Sequence, residues 1–318
     1  MNKKRFLDLY TNFLRRFLKV KRPIKVVFDC SNGVTGFVIR SLLKTNKLIN
    51  FKLINSRPDG RFPAHGPNPL AKGATRQLEQ EVKKQKADLG VIFDADGDRA
   101  FFVDNLGRFM DGDVVTRILI EELRLKKIVV DVNTGWLIKK LKVPGRSGKS
   151  EKLKVIISRT GTFFMKEAMR KSKAIFGAER SGHYYFRKFF NADSGILTAI
   201  LLINRVSRMS KEELLNHIDS LPKYYRYSAD FHFDEKKKKK AIDRVEKKYK
   251  NLAAKLSKLD GLSMEFCSPS APSGQNFGEF WFNLRPSNTE PLLRLNVEAD
   301  NVKILKEKSR EITGIILS

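Results

Sequence analysis

One short apolar stretch that ends in three carboxylates constrains this chain of 318 residues more than any other segment. Leu89 to Phe93 reads as a buried strand, and it runs directly into three alternating acidic residues: Asp94, Asp96 and Asp98. Gly97 allows the chain to turn tightly among them. Carboxylates this close repel one another unless a positive charge lies between them, and oxygen ligands of this kind suit a hard cation such as Mg²⁺. A solvated acidic turn is the alternative interpretation.

The residues after this acidic loop predict a hairpin. Phe101 to Phe109 reads as two strands with a turn at Asn105 to Gly107, so the loop is expected to be held between strands. An EF-hand is excluded, because its loop needs Gly at the sixth position and Glu at the twelfth. Counted from Asp94, those positions are occupied by Arg99 and Asn105.

Three segments match, in order and at plausible spacing, the motifs of one known family. The segment DADGDR at 94–99, with VDNLGRFMDGD at 103–113, is similar to a metal loop whose usual form is DGDGDR. GAERSGH at 177–183 is similar to a sugar-binding GExSGH loop, and RPSNTEP at 285–291 to a phosphate-binding RPSGTEP or RASNTxP loop. In these motifs the chain resembles the α-D-phosphohexomutases, the phosphomannomutase/phosphoglucomutase family.

Strand and helix patterns predict two consecutive α/β domains at residues 1–110 and 111–222, and an α+β domain at residues 223–318. The predicted helices include an amphipathic one at residues 3–19 and one that runs from the lysine run at Lys236–Lys240 to about Leu256. The resemblance implies consecutive α/β/α sandwich domains with mixed sheets, followed by a smaller α+β C-terminal domain. These correspond to the family's second, third and fourth domains.

The resemblance also implies the roles of the site residues. Asp94, Asp96 and Asp98 would hold Mg²⁺, with Arg99 as a planar donor beside the reacting group. Glu179 and Ser181 would bind sugar hydroxyls, and His183 would support their loop. The residues expected to grip the phosphate that does not react are Arg285, Ser287, Asn288 and Thr289. A satisfied surface group is the alternative for a lone Glu or His.

The chain departs from the family pattern where the chemistry takes place. No Ser is followed by His-Asn-Pro, so the phosphoserine loop of the family's first domain is missing from the sequence. The family commonly has Lys in a DVK segment and His in a TGH segment, and here those positions are Asn133 and Thr162. Neither side chain can act as a general acid or base at neutral pH.

Composition restricts the other classes of function. Lys and Arg total 63 against 35 for Asp and Glu, a net charge of +28, but the basic residues are spread along the chain and no zinc-finger, RRM or KH signature accompanies them. Either a field that attracts anionic sugar phosphates or a lysine-rich proteome explains the charge better than nucleic-acid binding. Cys30 and Cys267 indicate neither a disulfide framework nor a zinc site, and no apolar stretch is long enough for a membrane span. We expect a cytoplasmic protein with no membrane partner.

The sequence therefore predicts a phosphohexomutase-type isomerase that moves a phosphoryl group between C1 and C6 of a mannose or glucose phosphate. It would need a first domain from elsewhere, such as a separately encoded phosphoserine domain. The alternatives are a non-catalytic sugar-phosphate-binding protein and a truncated or decayed mutase copy.

Overall fold

The structure is a computed structural model that describes residues 3–145, 149–267, 279–287 and 290–318. The chain divides into two compact units. Unit 1 consists of Met1–Val130, Lys140–Ile156 and Met165–Leu221, and unit 2 of Asp131–Lys139, Ile157–Phe164 and Pro222–Ser318. No helix within the described ranges has both the length and the hydropathy needed to cross a membrane.

The first sheet of unit 1 is built from alternating strands and helices. Its elements are α1 (Lys3–Arg15), β1 (Ile24–Asp29), α2 (Thr35–Leu43), β2 (Ile49–Ile54), α3 (Arg76–Gln85), β3 (Leu89–Phe93), β4 (Ala100–Val103) and β5 (Phe109–Met110). The strand order is β2-β1-β3-β4-β5, with β1 parallel to β2 and β3 and with β4 antiparallel to β3. Leu78 and Val82 of α3 pack on Val27, Ile92 and Phe101 of this sheet. The apolar run of β3 is therefore buried, as its sequence predicts.

A second mixed sheet follows. Its elements and their connections are α4 (Gly112–Glu122), β6 (Lys127–Asp131), α5 (Trp136–Lys139), β7 (Lys142–Pro144), β8 (Ser150–Lys152), β9 (Lys154–Ser158), α6 (Thr162–Ser172), β10 (Phe176–Ala178), β11 (Tyr184–Phe186), β12 (Ala192–Asp193), α7 (Gly195–Val206) and α8 (Lys211–Asp219). The strand order is β12-β11-β10-β6-β9, and β7 and β8 form a separate hairpin. Strand β10 leads directly into the segment that contains Glu179.

The C-terminal part of unit 2 is an antiparallel sheet covered by helices. Its elements are β13 (Tyr225–His232), α9 (Glu235–Tyr249), β14 (Lys255–Ser257), β15 (Leu262–Phe266), β16 (Phe280–Pro286), β17 (Leu292–Ala299) and α10 (Val302–Leu317). The strand order is β13-β17-β16-β15-β14. Its core is rich in aromatic rings, with Phe266 and Phe280 stacked at 4.2 Å between centroids. The predicted fold class, α/β domains followed by an α+β domain, is confirmed.

Two helices end earlier than their sequence patterns predict. Helix α1 ends at Arg15 rather than at residue 19, because the Asn204 side chain binds the backbone there: its Nδ2 donates to the Phe17 oxygen at 2.7 Å and its Oδ1 accepts from the Lys19 N–H at 2.7 Å. Helix α9 ends at Tyr249, and Leu256 lies in β14, which pairs with β15. In both cases a tertiary partner for the backbone overrides local periodicity.

A buried ion pair fastens the loop between β2 and α3. His65 Nε2 lies 3.1 Å from Oδ2 of Asp29, which has no exposed surface. The Asp29 carboxylate also accepts hydrogen bonds from Asn55 Nδ2 and from the Ser31 N–H. The hydrogen bond to Asp29 raises the pKa of His65 above its ordinary value, although burial opposes it. This pair joins the loop to the end of β1.

The His65–Asp29 pair should make stability depend on pH. A raised pKa means that the contribution is fully present below the ordinary His pKa of about 6.5 and declines as pH rises through the raised value. We expect His65→Gln to cost about 1 kcal/mol at pH 6 and less at pH 9. The measurement is thermal unfolding of variant and parent across this range, with exposed His232→Gln as the control. A difference that stays constant with pH would contradict the assignment.

Candidate functional site

The acidic loop lies where the order of the first sheet reverses. From β1 the chain crosses to β2 on one side, while β3 lies on the other side, so the loops after β1 and β3 meet at the same edge. Ligands of open α/β sheets bind at such switch points, beside the carboxyl ends of the strands. The Val34 N–H donates to the Ala95 oxygen at 3.0 Å, and a Cβ added to Gly33 would overlap that oxygen. Gly33 therefore allows the two loops to touch.

The structure brings the three predicted carboxylates together. One oxygen from each of Asp94, Asp96 and Asp98 lies within 4.8 Å of the others. Asp94 is buried and partly neutralised, because its Oδ2 accepts from Arg99 Nε at 2.7 Å and its Oδ1 accepts from the Gly97 N–H at 3.1 Å. Asp96 is exposed and makes no hydrogen bond within the described residues. The loop thus presents free carboxylate oxygens around a fixed one.

Asp98 is the member of the cluster whose charge is least compensated, although Arg99 Nε lies 4.0 Å from its Oδ1. Burial raises the pKa of Asp98 to about 7, His183 opposes the increase, and Asp94 and Asp96 add to it. Its Oδ1 is shielded from solvent and accepts no hydrogen bond in the part of the chain that the structure describes. A set of three carboxylates in which one buried oxygen accepts no hydrogen bond from the described residues fits a hard divalent cation.

The predicted sugar loop lies directly against the acidic loop. The Ala100 N–H donates to the Gly182 oxygen at 3.2 Å, and Arg99 and His183 form an antiparallel bridge. Glu179 is buried, with Oε2 accepting from the Tyr185 hydroxyl at 2.7 Å. Ser181, which lies between Glu179 and His183 in the sequence, is partly exposed. Both loops belong to unit 1, so Arg99, Glu179, Ser181 and His183 occupy one region.

Asp193 also belongs to this region, although the sequence did not predict it as a site residue. His183 Nδ1 lies 2.8 Å from Asp193 Oδ2 and 3.8 Å from Asp98 Oδ2. Burial lowers the pKa of His183, but the hydrogen bond to Asp193 and the charges of Asp98 and Glu179 outweigh it, so the pKa is raised. In sequence, Asp193 reads only as part of a helix cap. Within the predicted capping segment at residues 191–195, the N-cap of α7 is Ser194, whose Oγ accepts from the Leu197 N–H at 3.1 Å.

The predicted phosphate loop belongs to unit 2. Arg285 is the second-last residue of β16 and is 9% exposed, and its Nε is buried without a hydrogen-bond partner among the described residues. The Ser287 N–H donates to the Leu292 oxygen at 2.8 Å, which closes the turn. Asn288 and Thr289 lie outside the described residues. A buried guanidinium nitrogen without an acceptor suits an oxyanion.

The two positions that depart from the family pattern also lie in unit 2. Asn133 Nδ2 donates to Asp131 Oδ2 at 2.8 Å, and its Oδ1 accepts from Asn296 Nδ2 at 3.0 Å. Thr162 is the first residue of α6. Asn133 is therefore occupied by hydrogen bonds to neighbouring polar groups.

Family models match nearly the whole chain. They are the phosphoglucomutase/phosphomannomutase alpha/beta/alpha domain II at residues 4–107, domain III at 111–225 and the C-terminal domain at 231–314. The chain belongs to the phosphoglucomutase/phosphomannomutase family. The phosphomannomutase of Methanocaldococcus jannaschii is 34% identical over 97% of this chain, and that of Vibrio cholerae is 35% identical over 93%. The chain spans only 66% and 62% of those two relatives.

Solved structures of this family share the fold. A phosphoglucomutase/phosphomannomutase family protein from Burkholderia thailandensis superposes with a TM-score of 0.77 at 24% identity, covering 98% of this chain and 64% of the other. Aspergillus fumigatus N-acetylphosphoglucosamine mutase, in complex with GlcNAc-6P and magnesium, gives a TM-score of 0.60 at 16% identity, covering 98% of this chain and 68% of the other. At these identities the comparison establishes the fold alone.

Replacing Asp96 should weaken cation binding without disturbing the fold. Its side chain forms no hydrogen bond in the described residues, so Asp96→Asn removes a ligand charge and little else. We expect affinity for Mn²⁺, used as the probe, to fall at least about tenfold, since each carboxylate ligand contributes much of a weak site's charge. Titration calorimetry measures the effect. Asp8→Asn, an exposed residue of α1, should match the parent, and equal affinity for Asp96→Asn would remove the loop from the site.

Gly33→Ala should separate the two loops that meet at the sheet edge. The added methyl group would overlap the backbone of Ala95, so we expect a loss of about 1–3 kcal/mol in stability and weaker Mn²⁺ binding. Gly314→Ala in α10 is the control, because a Cβ there meets nothing within 4 Å and should stabilise the helix by about 0.5–1 kcal/mol. Chemical denaturation and Mn²⁺ titration test both. Parent-like behaviour of Gly33→Ala would contradict the close approach.

Proposed function

We propose that this chain is the metal-, sugar- and phosphate-binding part of a hexose-phosphate mutase, an isomerase that moves a phosphoryl group between C1 and C6 of a mannose or glucose phosphate. The observation that carries this proposal is the contact of the acidic loop with the sugar loop, where Asp98 Oδ2 lies 3.8 Å from His183 Nδ1. The relatives named phosphomannomutase support the class of reaction, and the three sequence motifs support the choice of binding residues.

In this proposal each group of residues has one task. Asp94, Asp96 and Asp98 hold Mg²⁺, which would offset negative charge on the transferring phosphoryl group. Arg99 is held in place by Asp94 and keeps donors for a phosphoryl oxygen. Glu179 accepts hydrogen bonds from sugar hydroxyls, while Asp193 orients the His183 ring.

The far phosphate of the sugar is assigned to the turn after β16. Arg285 would bind it with its guanidinium group, and Ser287, Asn288 and Thr289 would contribute hydroxyl, amide and backbone donors. The Arg285 Nε is buried and has no hydrogen-bond partner among the described residues, which supports this assignment. The general positive charge of the chain cannot replace such a contact, because exposed charges are screened by salt.

Arg285→Met should weaken binding of mannose 6-phosphate roughly tenfold to a hundredfold, the equivalent of losing about 1.5–3 kcal/mol of a charged hydrogen bond. Calorimetry at two ionic strengths distinguishes the contact of Arg285 with the phosphate from the general attraction by the positive charge of the chain, because salt screens the latter. The control is Arg310→Met, which removes an exposed charge of α10. If both variants weaken binding equally, and salt abolishes it, the site assignment is wrong.

A phosphoryl carrier completes the proposal. The sequence contains no Ser-His-Asn-Pro, and the chain spans about two thirds of its relatives, so we propose that a phosphoserine domain acts with this chain. Positioning the donor supplies much of the rate in phosphoryl transfer. The chain should therefore be inactive by itself, even with Mg²⁺ and a hexose bisphosphate primer.

Adding the unmatched part of the M. jannaschii relative in trans should restore turnover of mannose 1-phosphate. We expect a rate about 10²- to 10⁴-fold below that of the complete relative, because Asn133 and Thr162 cannot transfer protons. A Ser→Ala version of the added domain and Asp96→Asn of this chain are the controls. Robust turnover by the chain alone would contradict the proposal.

The second candidate is a non-catalytic sugar-phosphate-binding protein. Asn133 and Thr162 favour it, because they leave the binding groups in place and remove groups that the family uses near proton transfer. Binding of mannose 6-phosphate with no turnover after addition of the carrier domain would support this candidate over the mutase.

A further inference from the structure

An arginine without an acceptor lies directly after strand β9. The Nε of Arg159 is buried and has no hydrogen-bond partner among the described residues. Three other arginines have a buried Nε without a hydrogen bond, but each forms an ion pair with a glutamate: Arg117, Arg205 and Arg294. Within the part of the chain that the structure describes, Arg159 and Arg285 lack such an ion pair as well. Because an unsatisfied buried donor is costly, both arginines suit an external acceptor.

The Arg159 guanidinium group is held against an aromatic ring. Its Cζ lies 4.1 Å from the ring centroid of Phe164, and the Phe164 ring packs edge-on against that of Phe163 at 5.3 Å between centroids. Stacking uses a face of the guanidinium group, whereas the N–H donors lie in its plane and point outward from its edge. The stack therefore orients Arg159 without using its hydrogen-bond donors.

The segments that contain Arg159 and Arg285 meet at residues 260 and 261. The Thr160 N–H donates to Asp260 Oδ2 at 3.0 Å. The next residue, Gly261, has a φ of +72°, and a Cβ added there would lie 2.6 Å from the Arg285 Cα. All of these residues belong to unit 2. The two arginines with unused donors are thus carried by segments that contact the same pair of residues.

The carboxylates of these segments accept hydrogen bonds from neutral groups. Asp260 accepts from a backbone N–H, and Asp131 accepts from Asn133 Nδ2 at 2.8 Å. Neither carboxylate forms an ion pair with Arg159 or Arg285 in the described ranges. The donors of both guanidinium groups therefore remain available to an anion from outside the chain.

We propose that Arg159 binds the same phosphate group as Arg285, so that two guanidinium groups hold the phosphate that does not react. This inference rests on the proposed function, because it adds a second residue to the phosphate site at Arg285. Two like charges in contacting segments repel each other unless an anion lies between them. A phosphate monoester carries a charge of about −1.5 to −2 at neutral pH and has three acceptor oxygens, which suffice for both groups.

Arg16 provides a matched control. Its Cζ lies 4.4 Å from the ring centroid of Phe13, so it is also an arginine stacked on a phenylalanine, but it belongs to unit 1. Arg16→Met removes the same charge and the same kind of stack without changing the segment that contacts Arg285.

The test compares Arg159→Met, Arg159→Gln, Arg285→Met and Arg16→Met in the full chain. Inorganic phosphate and mannose 6-phosphate are titrated by calorimetry at constant ionic strength with no divalent cation present, and thermal unfolding is recorded with and without phosphate. We expect the parent to bind one phosphate per chain and Arg159→Met to weaken binding about tenfold or more, with less stabilisation by phosphate. Arg159→Gln keeps a polar group, so it should fold and still bind at least about fivefold more weakly than the parent. Arg16→Met should stay within about twofold of the parent.

Each other outcome has a definite meaning. Parent-like phosphate affinity of the folded Arg159 variants, alongside weak binding by Arg285→Met, would overturn this inference and leave the phosphate site at Arg285 standing. An equal loss in Arg16→Met would indicate the general positive charge and would overturn the inference. Two phosphates bound by the parent, with a different one lost in Arg159→Met and in Arg285→Met, would place the two arginines in separate sites and would also overturn it. No phosphate binding by the parent, or none that Arg285→Met reduces, would overturn both the inference and the proposed phosphate site.

Discussion

The mutual repulsion of three carboxylates at the end of β3 is the constraint on which unit 1 depends. Arg99 and two backbone N–H groups compensate Asp94, which fixes the path of the loop. That path requires the close approach of Gly33 on one side. On the other side the Gly195 N–H donates to the Gly97 oxygen at 3.1 Å, which ties the start of α7 to the same loop. The acidic loop therefore contacts two segments that are distant in sequence, one at Gly33 and one at Gly195.

Buried charges in this protein fall into two groups. Some are paired by their own structure: Glu298, 1% exposed, accepts from Arg226 Nε, from Trp281 Nε1 at 2.8 Å and from the Trp136 N–H at 2.7 Å. Asp98 and Arg285 each retain a buried polar atom without a hydrogen bond in the described residues. Because an unsatisfied buried polar atom is costly, an external cation at Asp98 and an external anion at Arg285 would each be stabilising.

The sequence revealed what is local and concealed what is assembled by the fold. The apolar run before Asp94 and the turn at Asn105 to Gly107 carry short-range patterns, and both are present in the structure. The partnership of His183 with Asp193 has no such pattern, because the strands β11 and β12 bring the two together. The sequence does not distinguish Lys238 from its neighbours in the lysine run. In the structure it is 2% exposed because it lies on the packed side of α9, whereas Lys239 and Lys240 are exposed. Helical periodicity likewise predicted that α9 extends beyond Tyr249, whereas Lys255–Ser257 form a strand that pairs with β15.

Asn133 stands where the family pattern has Lys, and this difference changes what the position can do chemically. A lysine there would bring an ammonium group that can exchange a proton, whereas the Asn133 amide donates to Asp131 and to Thr160 Oγ1 and accepts from Asn296. Asn133 therefore connects the segment after β6 to strand β17 within unit 2. An amide does not titrate near neutral pH, so the Asn133 side chain itself cannot exchange a proton. The raised pKa of His183, caused mainly by its hydrogen bond to Asp193 and by the nearby charge of Asp98, keeps its ring protonated to higher pH than an ordinary histidine.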